Sequence, residues 1–286
     1  MAVRILAFFL WVATAALAGG PQRIISTSPS ITEMLYALGL GDRVVGVTSY
    51  CHYPPEVRDK PKIGNYLRPD VETIVSMQPD LVVSLAEHGE LRPRLERLGL
   101  KILALQHNDL AGIYRSIAEL SEKTGVPERG AALVQQIQGD LESIRRSARR
   151  LPRRSTLFIV GRTPGAIQSV VAVGAGPFLN ELIEIAGGDN LLRESGQHYP
   201  QISRETILVR RPEVVLDMGD MAATDDVSAE HKRSVVALWR REFPQIPAVT
   251  AGRVYAVADD RYVVPGPRVA QAARMLFDLI HPEAVR

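Results

Sequence analysis

Six histidines, one cysteine and eight tyrosines are the side chains best able to do chemistry or to grip a ligand in this chain. The histidines, His52, His88, His107, His198, His231 and His281, are scattered rather than paired. Glu87-His88 has residues of a zinc helix without the His-Glu-x-x-His spacing that sets two imidazoles on one face. A metal site built from separate loops, with His52, His88 and His198 beside an Asp or Glu, would make a metal-dependent hydrolase. Spacing lends that alternative no support. Cys51 has no second cysteine for a disulfide or a thiolate zinc site. No phosphate-cradling Gly-x-x-x-x-Gly-Lys-Ser/Thr loop and no Gly-x-Ser-x-Gly elbow occurs, and Gly174-Ala175-Gly176-Pro177 lacks the third glycine of a dinucleotide fingerprint.

The tyrosines are better organised. Tyr50 and Tyr53 belong to a loop that follows an apolar run at Val44–Val47. Tyr66 precedes a Glu-Thr-Ile helix at Glu72, and Tyr199 precedes a second one at Glu205. Asp260, Arg261 and Tyr262 follow an apolar run that ends at Val257. Flat rings with polar tips suit a large, rigid, amphipathic ligand and give contact area at low entropic cost. Such loops bind ligands when they lie at the carboxyl ends of parallel strands.

The elements that must position these loops alternate. Strands are expected at Arg23–Thr27, Val44–Val47, Leu81–Ser84 and Lys101–Leu105, then at Thr156–Val160, Val214–Asp217 and Val254–Val257. Helical spacing links them, with Gly39 as a natural C-terminal stop and Asp70 or a neighbour as a cap. Leu133, Ile137, Leu141 and Ile144 step by four, four and three residues along one helix of about six turns, opened by Pro127-Glu128. The arginines at its end, Arg145 to Arg154, read as a solvated face favoured at a helix C-terminus.

The same pattern occurs twice. Glu72-Thr73-Ile74, Pro79 and Val82-Val83 return as Glu205-Thr206-Ile207, Pro212 and Val214-Val215. Upstream, Pro29, Glu33, Gly39 and Asp42 are echoed by Pro177, Glu181, Gly187 and Asp189. Two lobes of like topology follow: an N-terminal α/β lobe over 21–125, a stiff bridging helix over 126–152 and a C-terminal α/β lobe over 153–286. A single rigid helix between them leaves a cleft with little freedom to open or shut.

Composition bounds the function. With 46% apolar and 23% charged residues and a formal net charge of +2, the chain is neither disordered, collagen-like nor a polytopic membrane protein, and no nucleic-acid partner is expected. Arg4, the apolar stretch Ile5–Ala15 and Ala16-Leu17-Ala18 read as a cleaved signal peptide over 1–18. Gly19 stands where a lipid-anchored protein would carry cysteine. The expectation is a soluble periplasmic monomer without a lipid anchor.

At this level of detail the chain resembles the periplasmic substrate-binding proteins of the cobalamin, haem and ferric-siderophore ABC importers, closest to the vitamin B12-binding subgroup. Val45-Gly46-Val47-Thr48-Ser49-Tyr50 with Tyr53-Pro54-Pro55, and Pro200-Gln201-Ile202-Ser203-Arg204-Glu205 with Pro212, carry the resemblance. It implies a class III periplasmic binding fold of two Rossmann-like lobes joined by one long helix. It also implies binding without catalysis or cofactor, and delivery of a corrinoid to an inner-membrane permease dimer with its ATPase subunits. Haem or a ferric siderophore is the alternative, with Arg68, Arg162, Arg204 and Arg261 available for anionic ligands. Carried over by resemblance, Tyr50, Tyr66, Tyr199, Asp260, Arg261, Tyr262 and His88 form the ligand site. His52 or Cys51 would be the candidate axial ligand to a bound metal. Glu72 and Glu205 dock the permease.

Overall fold

The computed structural model describes residues 20–87, 89–219 and 227–284, so the leader expected over 1–18 lies outside the described residues. The N-terminal lobe runs β1 (Ile24–Ser26), α1 (Pro29–Ala37), β2 (Val44–Val47), α2 (Val71–Ser76), β3 (Leu81–Leu85), α3 (Leu91–Arg97), β4 (Ile102–Leu105) and α4 (Leu110–Lys123). Its four strands pair in parallel in the order β2-β1-β3-β4. Strands β1 and β3 are buried along their whole length, as a parallel sheet covered by helices requires.

Helix α5 (Pro127–Ala148) then crosses to the C-terminal lobe. This lobe comprises β5 (Arg154–Gly161), β6 (Val170–Ala172), α6 (Phe178–Ile185), β7 (Gly188–Asn190), β8 (Gln201–Ile202), α7 (Arg204–Arg210), β9 (Val214–Asp217), α8 (Ala229–Glu242), α9 (Pro247–Thr250), β10 (Val254–Ala256) and α10 (Val269–Ile280). Strands β10, β9, β5 and β7 are neighbours in that order and parallel. Read from the other edge, β7-β5-β9-β10 repeats the N-terminal order strand for strand. The repeated motifs in the sequence thus mark equivalent places in two copies of one topology.

One departure is local. The far half of β5 turns from β7 to β6, and β6 and β8 add an antiparallel extension that the alternating strand–helix reading does not contain. Both strands are very short, and their pairing is a tertiary matter that no local periodicity announces.

The bridging helix is stiff because it is embedded. Ile137, Leu141, Ile144 and Ala148 form its buried stripe. They belong to one hydrophobic cluster that also contains Ile24 and Val83 of the first lobe and Phe158 and Leu182 of the second. At 1.5 Å per residue its 22 residues span about 33 Å. A second cluster fills the C-terminal lobe around Trp239, whose Nε1 donates to Asp217 Oδ2 at 2.6 Å.

Candidate functional site

Between the lobes lies a cleft of about 790 Å³, lined from one side by the ends of β1, β2, β3 and β4 and from the other by the start of α6, the loop before β8 and the turn after β10. It falls in the upper part of the roughly 300–1,000 Å³ range of small-molecule sites. The carboxyl ends of the parallel strands open onto it, as the sheet topology dictates.

Four of the expected ligand residues come together here. Tyr50, Tyr66, Tyr199 and Asp260 all line the cleft, joined by His52 and by Tyr53. Tyr50 is 57% exposed and Tyr199 47%, so their rings are open to a guest. Partial burial, and then the nearby Glu87 carboxylate, push the phenols of Tyr66 and Tyr199 above their ordinary value. The His52 Nε2 lies 3.0 Å from the Ser49 carbonyl.

Two expected residues stand elsewhere. Tyr262 is 1% exposed, with its ring edge-on to Phe158 at 5.5 Å, and forms core rather than cleft wall. The 3-10 turn Asp260–Tyr262 is the reason, because residues two apart on so tight a turn face different ways. Arg261 is spent on Asp259, with Nε to Oδ1 at 2.7 Å and Nη2 to Oδ2 at 2.5 Å. His88 lies outside the described residues. Cys51 is fully buried, and its thiol, pushed up by burial, is hydrogen-bonded by Thr32 and Thr48.

Other residues complete the cleft wall. Ser28 caps α1 and Pro29 opens it, which brings the helix N-terminus to the wall. Buried His107 joins Ser30 Oγ at 2.8 Å and Ser116 Oγ at 3.2 Å, and burial lowers its pKa to about 4. His198 lies against Gly176, whose φ is +100°; a Cβ there would meet the imidazole at 2.9 Å. Only glycine allows this approach.

The most charged feature joins the lobes. Arg268, just before α10, sends Nε to Glu33 Oε2 at 2.8 Å and Nη2 to Glu33 Oε1. The same fork holds Asp260, with Nη1 to Oδ1 at 3.1 Å and Nη2 to Oδ2 at 2.9 Å. Its guanidinium lies 4.0 Å over the Tyr53 ring. Burial pushes the Glu33 carboxyl up to about 7 while Arg268 pulls it back. On the other flank, the Leu110 N–H donates to Glu181 Oε1 and the Phe178 N–H to the Asn108 carbonyl, both at 2.8 Å.

The cleft wall carries Glu33, Glu87 and Asp260, and among the described residues no lysine or arginine lines it. Three of the four arginines named for an anion are committed elsewhere, Arg261 on Asp259, while Arg68 is exposed beside the cleft residue Leu67. Arg162 is buried on Asp217, and Arg204 pairs with Glu242 at 3.0 Å while lying over Phe243. Among the described residues no group of three or more His, Cys, Asp and Glu is gathered closely enough to hold a metal ion.

Glu72 and Glu205 lie apart from the cleft, exposed in the first turns of α2 and α7. Asp70 caps one helix and Ser203 the other. Hydrogen bonds from its own N–H and from Ser203 hold Glu205 below the usual carboxylate range.

Residues 24–260 match the family model described as periplasmic binding protein. The chain is 30% identical over 227 residues to a vitamin B12-binding protein of Vibrio campbellii, covering 78% of this chain and 81% of that one. It is 29% identical over 275 residues to an uncharacterized ABC transporter substrate-binding lipoprotein of Bacillus subtilis, covering 93% and 82%. Among solved structures, a periplasmic heme-binding protein from Roseiflexus sp. RS-1 in apo form superposes with a TM-score of 0.74 at 28% identity, over 93% of this chain and 100% of that one.

Proposed function

The chain belongs to the periplasmic binding protein family, and from that premise we propose that it captures a corrinoid in the interlobe cleft and delivers it to an ABC permease. It is an extracytoplasmic substrate-binding protein, and its work is binding rather than catalysis.

One observation carries the choice of ligand. Three carboxylates border the cleft, two of them sharing Arg268, and among the described residues no lysine or arginine lines its wall. A ligand with ionised carboxylates, such as haem with its propionates, or an anionic ferric siderophore, would bring like charge to like charge in a partly desolvated site. A corrinoid is a broad macrocycle whose edge carries neutral amides. Those amides can donate to Glu87 and Asp260 and to the serine hydroxyls of α1, and the flat faces can lie on Tyr50, Tyr66 and Tyr199. The similarity to a vitamin B12-binding protein supports the same reading, and the heme-binding relative defines its rival.

Glu72 and Glu205 are the proposed permease contacts. They occupy equivalent positions in the two lobes, so a two-fold partner meets the same charge in each half. The small residues Ala16 to Ala18, followed by glycine rather than cysteine, support release of the chain without a lipid anchor.

Calorimetric titration with cyanocobalamin, cobinamide and haemin tests the ligand. Stoichiometric capture of the two corrinoids, with haemin far weaker, is the expected result. Haemin binding more tightly than both would overturn the assignment.

A further inference from the structure

Glu33 and Glu181 stand four residues after the prolines at the starts of α1 and α6, Pro29 and Pro177. Six residues further on, Gly39 and Gly187 end these helices with φ of +71° and +84°. In the repeated topology α1 lies between β1 and β2, and α6, after the added β6, lies between β5 and β7. The two glutamates are thus equivalent in the repeated topology, and neither points into its own lobe.

Each crosses to the other lobe and meets the start of its last helix. Glu33, 4% exposed, accepts hydrogen bonds from Nε and Nη2 of Arg268, the residue before α10. Glu181 takes the N–H of Leu110, the first residue of α4. The relation is reciprocal: first helix to last helix, in both directions, on the two flanks of one cleft. A single link between two bodies leaves them free to turn about it. Two separated links, with the buried stripe of α5 as a third, remove that freedom. Both links are strong of their kind. One is a buried charged pair whose disruption strands a charge, and the other places a carboxylate on the unsatisfied N–H of a helix N-terminus.

We infer that Glu33 and Glu181 are a pseudo-symmetric pair of positioning residues that set the separation of the cleft walls, and that Glu33, through Arg268, also aims Asp260 and Tyr53 at the ligand. The second half follows from the fork of Arg268. It holds a carboxylate of each lobe and lies on the Tyr53 ring, and Glu33, Asp260 and Tyr53 all line the cleft. A lysine cannot do this, because a point-charge ammonium lacks the planar fork that bridges two carboxylates. The Glu181 link ends on backbone and aims no side chain. The two halves of the pair therefore share one duty and differ in the other.

The test needs no ligand in its first arm, so it stands whichever macrocycle the cleft takes. Spin labels at Arg94→Cys on α3 and Arg233→Cys on α8, in a Cys51→Ser background, report the interlobe distance by pulsed dipolar spectroscopy. The parent should give one narrow distribution. Glu33→Ala and Glu181→Ala should each broaden it, the double variant by more than the sum, and Arg268→Lys should reproduce Glu33→Ala. Variants that stay folded by circular dichroism with unchanged distributions would overturn the inference, whatever their melting temperatures. Should Glu33→Ala fail to fold, Arg268→Lys decides the same point. In the second arm, the cyanocobalamin association constant should fall about tenfold in Glu33→Ala and Arg268→Lys, the equivalent of one charge-assisted hydrogen bond, and clearly less in Glu181→Ala. Equal losses in all three would overturn the aiming role while leaving the spacing role intact.

Discussion

His107 and Ser30 lie 77 positions apart and meet at 2.8 Å, tying the end of β4 to the first turn of α1 behind the cleft wall. The imidazole is 2% exposed and spans two hydroxyls, Ser30 and Ser116, with no carboxylate to favour its charged form. Burial therefore lowers its pKa from 6.5 to about 4.

The consequence is a loss of stability in acid. Between pH 6.5 and about 4 the unfolded chain takes up a proton that the folded chain refuses, so stability falls as pH falls through that window and levels off below it. The full effect is on the order of 3 kcal/mol. Buried His281, also lowered by burial, acts in the same direction, whereas Glu33, pushed up to about 7, acts in the opposite one. The clean measurement is a difference: urea unfolding of the parent and of His107→Asn at pH 7 and at pH 4.5. The gap between them should narrow or reverse at the lower pH, and a constant gap would refute the assignment.

Gly176→Ala should damage the site more than the fold. The added Cβ would lie 2.9 Å from the His198 ring at a backbone φ of +100°. Strain of this kind costs about 1–3 kcal/mol. His198 must also swing away from the wall it lines. Thermal unfolding should register a modest loss, and corrinoid affinity a larger one than any alanine substitution on the outer face of α5 produces.

The division between Tyr199 and Tyr262 can be read out directly. Tyr199→Ala and Tyr66→Ala remove rings from the cleft wall and should weaken corrinoid binding about tenfold each with little change in melting temperature. Tyr262→Ala removes a buried ring packed on Phe158 and should cost about 3–5 kcal/mol of stability. What remains folded should bind almost normally. A Tyr262 variant that folds well and loses the ligand would return this ring to the site.

These two tyrosines also mark how far the sequence can be read. Tyr199 precedes a helix and Tyr262 follows an apolar run, and nothing within ten residues of either tells an inward ring from an outward one. Repeated local signals fare better. The caps Asp70 and Ser203, the buried Ile74 and Ile207 and the terminal glycines Gly39 and Gly187 are all set by neighbours in the chain. They suffice to place two copies of one topology, and the stripe on α5 suffices to join them. The pair Glu33–Arg268 spans 235 positions and depends on how the lobes face one another, which no periodicity encodes. Strands β6 and β8 are hidden for the same reason. Their three and two residues acquire meaning only from the half of β5 that β7 leaves unpaired.

The docking assignment predicts a separation of binding from transport. Glu72 and Glu205 are exposed, make no contact with the cleft, and sit at the same step of equivalent helices. Each carboxylate is adequately explained within its helix by the N-terminal dipole, a modest stabilisation at an exposed position. A purely local role therefore predicts that Glu72→Lys and Glu205→Lys each lower stability slightly and do nothing else. A docking role predicts more. Each reversal turns an attraction into a repulsion at one half of the partner, so each single variant should slow uptake and the pair should abolish it. Corrinoid affinity should stay at the parent value throughout. Uptake into proteoliposomes holding the cognate permease and ATPase, measured beside titration of the same preparations, separates the two roles. Normal uptake by the double variant would leave these glutamates as first-turn residues favoured by the helix dipole and nothing else.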